Sequence, residues 1–109
     1  MRAALRSSDG RPEISAEVDG KHQALVVDSV ASALILFGWR GQMTQVTAVT
    51  NGGSVEAGTG RARVTIGGAY SRVMDMAGVS ASPRPGLLPA AAFGSVYVSN
   101  RDGIVVLVP

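Results

Sequence analysis

The sequence contains no cysteine, which excludes disulfides, thiol nucleophiles, zinc–thiolate sites and iron–sulfur clusters. It is also short of charge, with 17% Asp, Glu, Lys and Arg where about 25% is usual for a globular domain. Aromatic residues make up only 5%, and there is a single histidine. Such a composition cannot supply the stacked aromatic platforms that hold single-stranded nucleic acid. Ten basic residues, nine of them arginine, face eight acids for a net charge of +2. That surplus is too small and too scattered for a phosphate-backbone binder, so no nucleic-acid partner is expected. No apolar run is long enough for a membrane helix: the stretch from Ala24 to Trp39 is interrupted by Asp28, Ser29 and Ser32 and falls short of the roughly 20 residues required. The opening MRAALRSSDGRPE lacks the apolar segment of a signal peptide and should be retained.

Apolar residues and glycine fill the space left by charge: 46% of the chain is hydrophobic, and 14 of its 109 residues are glycine. A domain of this size buries only about 60–68% of its unfolded surface. Part of the apolar excess therefore lies outside the core and calls for a protein partner, with a homodimer or homotrimer as the simplest closed arrangement.

The patterning is that of strands. Residues 1–12 show neither period and read as a flexible arm carrying Arg2, Arg6 and Arg11. From Glu13 the chain alternates, with Ile14, Ala16 and Val18 on one face, until Asp19-Gly20, a pair suited to a tight turn. A second strand follows over residues 23–27. Residues 29–37 fit either a short helix capped by Asp28 or a strand buried on both faces, and the β-branched and aromatic content of Leu34 to Phe37 favours the strand. Thr44 to Thr50 and Ser54 to Ala57 flank Asn51-Gly52-Gly53 as a hairpin. After Gly58-Thr59-Gly60 the run RARVTI places Ala62, Val64 and Ile66 inward and Arg61 and Arg63 outward. The segment near residues 75–94, with Pro83, Pro85 and Pro89, reads as an extended piece docked through Leu87, Leu88 and Phe93 on the body or on a neighbouring chain. Two last strands, from Ser95 to Ser99 and from Gly103 to Val108, share a turn at Asn100–Gly103. Because the final run is apolar on both sides, it should be central or covered. The expected architecture is a single all-β domain over residues 13–109: a sandwich, jelly roll or barrel of seven or eight short antiparallel strands.

No constellation announces chemistry. His22 would have to serve any Ser-His-Asp arrangement, and nothing else in the sequence supports it. Gly78 to Ser82 lacks the second glycine of a nucleophile elbow. Glu13, Glu17 and Asp19 read as a solvated strand face rather than a metal site. Gly58-Thr59-Gly60 precedes a strand, where a phosphate-cradling loop would open a helix. The expectation is a non-enzyme with no catalytic residue, metal or cofactor, binding its partner through Arg2, Arg6, Arg11, Arg61, Arg63, Leu87, Leu88 and Phe93. The arm ending at Arg11-Pro12, the Gly/Ala/Val/Thr-rich strands and the segment SASPRPGLLP together resemble the small decoration, or cement, proteins of tailed-phage capsids. The resemblance implies a β-rich dimer or trimer seated on a capsid protein at the virion surface. A tail, baseplate or secretion-apparatus module is the alternative, and a small hydrolase using His22 a further one.

Overall fold

A computed structural model of the chain describes residues 2–8, 11–38, 44–50, 53–68, 70–80, 84–99 and 101–109. The described residues form eleven strands: β1 (Arg2–Ala4), β2 (Arg6–Ser8), β3 (Arg11–Val18), β4 (Lys21–Asp28), β5 (Leu34–Phe37), β6 (Thr44–Thr50), β7 (Gly53–Ile66), β8 (Tyr70–Val79), β9 (Gly86–Pro89), β10 (Ser95–Ser99) and β11 (Ile104–Val108). One turn of 3-10 helix, Ala90–Ala92, follows β9. The chain is thus all-β, as its alternation requires. No helix among the described residues is long and apolar enough to cross a membrane.

The body is a sheet ordered β2-β3-β4-β9-β5-β8-β7-β6 that closes on itself through an additional β3–β7 pairing. Six strands, β3, β4, β9, β5, β8 and β7, therefore make a barrel, with no edge left among them. Alternate side chains fill it: Ile14, Ala16 and Val18 of β3, Ala62, Val64 and Ile66 of β7, and Met74 and Met76 of β8 are all buried. At the β3–β4 hairpin Asp19 and Gly20 have φ of 49° and 83°, the two positive angles that a two-residue hairpin turn demands.

Of the two readings of residues 29–37, the favoured strand is the one found, as β5 over Leu34–Phe37. Three details depart from the sequence expectation. Where an arm was expected, Arg2–Ala4 pair with β11 and Arg6–Ser8 with β3. Gly58-Thr59-Gly60 does not interrupt the chain, because β7 runs unbroken for 14 residues, paired to β6 over its first half and to β8 beyond. Strand pairing supplies there the order that local glycine propensity opposes. Finally, β9 lies parallel to β4, and β5 parallel to β8, so the strands are not all antiparallel. The Asn51-Gly52 turn itself lies outside the described residues.

The Pro-rich segment delivers β9 between β4 and β5. Leu88 and Phe93 are buried in the core of their own chain, while Leu87, on the alternate face of β9, is half-buried. Arg84 stacks its guanidinium 3.9 Å from the centroid of the Phe37 ring, fastening the approach to β9. The second, smaller sheet is β1-β11-β10, with β11 central as its apolar pattern requires and Val105 and Leu107 fully buried.

Candidate active site

The insertion of β9 determines where chemistry can sit. β4 and β5 are consecutive in sequence, but β9 separates them, parallel to β4 and antiparallel to β5. Residues 29–33 must therefore arch over the end of β9, where Asp28 stands opposite Pro89. Asp28 closes a strand whose preceding residues, Leu25, Val26 and Val27, are all buried. Its carboxylate is carried from the core to the lip of the barrel.

The local sequence holds it there. Oδ1 of Asp28 accepts the backbone N–H of Val30 at 2.7 Å and of Ala31 at 3.2 Å, an Asx-type turn. The capping tendency read from Asp28 is real, but it serves a turn because Leu34 is claimed by the barrel before a helix can form. Oδ2 accepts a hydrogen bond from Arg11 Nη2 at 3.2 Å. The Asp28 side chain is 17% exposed, so it is mostly covered yet still reaches solvent. Other described carboxylates have different work. Asp19 accepts the Arg63 backbone N–H, Asp102 pairs with the Ser99 hydroxyl within a turn, and Asp75 faces Arg61 in open solvent.

Beside the arch lies a cleft of about 250 Å³, walled by Ser32 and Ala33 of the same loop, Pro89 at the end of β9, Ala92 of the 3-10 turn, and Arg61 and Arg72 from β7 and β8. Arg72 Nη1 donates to the Ala92 carbonyl at 2.8 Å, tying β8 to the 3-10 turn. The cleft is slightly below the size of a typical small-molecule site, but it is continuous with the loop that Asp28 anchors.

Of the residues expected to bind a partner, Arg11 is drawn to this site. Arg61 and Arg63 project outward as expected: Arg61 Nε lies 3.5 Å from Asp75 Oδ1, and Arg63 Nη1 donates to Ser71 Oγ at 3.0 Å. The side chains of Arg2 and Arg6 lie outside the described residues. His22 stands across the β3–β4 ladder from Glu17, in a cleft of about 240 Å³ with Ser15 and Thr65. The Thr65 hydroxyl turns to Ser71, and no hydrogen bond among the described residues joins His22 to a hydroxyl or a carboxylate. Asp28 was missed as a site residue because a lone carboxylate has no spacing signal; the one hint was its place directly after a buried apolar run.

No family model matches the sequence, nor does any curated protein. Among solved structures, the fold matches the crystal structure of a retropepsin-like aspartic protease from Rickettsia conorii, with a TM-score of 0.70 and 19% identity over 98% of this chain and 88% of that one. At that identity the likeness establishes the fold. It also overturns the expectation of a non-enzyme, since nearly the whole chain superposes on an enzyme fold. Nothing in it bears on a capsid surface.

Proposed function

We propose that the chain is one half of an aspartic-type peptide hydrolase in which two copies bring their Asp28 carboxylates together. The observation that carries this reading is Asp28 itself, held at the barrel's lip by two main-chain N–H groups, in a fold shared with an aspartic protease. Two carboxylates in close contact cannot both ionise and so share one proton. The ionised one takes a proton from water as its oxygen attacks the peptide carbonyl carbon, while the protonated one gives its proton to the carbonyl oxygen. Collapse of the tetrahedral species breaks the C–N bond, with a proton passing to the departing nitrogen.

One chain contributes one such carboxylate, and the partners of Asp28 within the chain are backbone amides and an arginine. A second copy is therefore part of the proposal. Val30 supports it: this valine, in the turn that Asp28 organises, is 88% exposed, an apolar side chain placed where a symmetric neighbour would cover it. The test is incubation of the chain with unstructured peptides from acid to neutral pH, with products read by mass spectrometry. Cleavage that disappears in Asp28→Asn and persists in Asp75→Asn is the expected result; cleavage by both variants, or by neither variant nor the parent chain, overturns the reading.

A further inference from the structure

The β3–β4 ladder reaches the Glu13–Val26 pair, and two residues further along each strand the side chains of Arg11 and Asp28 meet. With Oδ1 engaged by two backbone donors and Oδ2 by the guanidinium, three of the roughly four lone-pair sites of this carboxylate are occupied. A carboxylate so engaged is poorly placed to take a proton from water. The arginine is the removable part: its side chain is 51% exposed against 17% for Asp28, and a single N···O contact of 3.2 Å joins them.

We propose that Arg11 is a latch on Asp28 which a carboxylate-bearing side chain of a peptide releases, so that the site favours acidic peptides. This rests on the hydrolase reading of Asp28. Exposed single-contact pairs shift an equilibrium by no more than about fivefold, so the latch opens readily. A glutamate arriving beside the site can engage the guanidinium through both oxygens, a stronger geometry than the contact it replaces. A neutral peptide must open the latch with nothing gained in return.

The experiment uses the full chain and two fluorescein-labelled pools of short mixed-sequence peptides, identical except for one central Glu or Gln, with binding read by anisotropy. The unmodified chain binds the Glu pool about threefold or more tightly than the Gln pool, within the range such a pair supports. Arg11→Met brings the ratio to one or below, because Asp28 then repels the acid, and Arg11→Lys retains part of the preference. Added salt lowers the ratio in the unmodified chain, a reading that needs no variant. Equal or undetectable binding of the two pools, or a preference that survives in Arg11→Met, overturns the latch. Cleavage measured on the same samples separates the two ideas. If Asp28→Asn still cleaves, the hydrolase reading fails whatever Arg11 does; if it is inert while the parent chain shows no acid preference, the latch alone fails.

Discussion

Gly86 lies so close to Ile35 that a Cβ built on it would stand 2.7 Å from the Ile35 carbonyl oxygen, with Leu25 Cδ2 at 2.9 Å and Leu36 Cδ2 at 3.1 Å. The missing side chain is what lets β9 slip between β4 and β5. Because the obstructing atom is backbone, it cannot swing aside as a side chain would. Gly86→Ala is expected to cost about 1–3 kcal/mol, the range for forced overpacking, and chemical denaturation would measure it. A variant as stable as the parent would mean that β9 is not held this tightly.

Asp28 organises a turn and, in the proposed hydrolase, would also do chemistry; two substitutions separate these roles. Asn keeps an oxygen for the Val30 and Ala31 amides, so Asp28→Asn should fold almost as stably as the parent while losing hydrolysis. Ala removes that acceptor and leaves two amides to solvent, at about 1–2 kcal/mol. Thermal melts of the two variants beside activity assays check the split.

Val30→Asp should reduce self-association while leaving the single chain's stability within about 0.5 kcal/mol, as for other surface changes. The expectation follows from a side chain 88% exposed that touches little in its own chain. Sedimentation velocity over a dilution series would show the shift; unchanged association would place the contact between copies elsewhere.

Leu88→Ala should cost about 2–5 kcal/mol, the usual range for a fully buried leucine, because Leu88 is 0% exposed. A docking role for Leu87, Leu88 and Phe93 on a neighbouring chain would predict lost assembly with the fold intact. Since Leu88 and Phe93 belong to the core of their own chain, replacing all three by serine should abolish folding instead, visible as lost β signal in circular dichroism.

Local alternation made part of this molecule legible in advance. RARVTI shows its inward and outward faces because strand geometry is a property of successive residues, and Asp19-Gly20 and residues 101–103 show their turns for the same reason. What was not legible is long-range. The parallel pairing of Leu25 with Gly86, some sixty residues on, leaves no mark in either local pattern, and it is this pairing that makes the end of β4 a lip. Gly58-Thr59-Gly60 looked like a break because glycine propensity is local, whereas the ladders to β6 and β8 on either side are not. Asp28 was legible as a cap but not as a site residue, because the proposed chemistry divides its two carboxylates between two molecules, and no spacing within one sequence encodes that division.

The pairing of β1 with β11, seconded by the Leu5 amide on the Gly103 carbonyl at 2.8 Å, sets a timetable for biosynthesis. At about 5–20 residues per second, a ribosome that has released Arg2–Ala4 needs roughly 5–20 s more to produce the strand that receives them. Throughout that interval the opening residues have no native ladder to join, and neither has β10. The barrel can form earlier, since its six strands are complete by Pro89. The small sheet can form only after Ile104–Val108 have cleared the exit tunnel, and a translational pause before that point would prolong the exposure of Val96 and Val98 to chaperones.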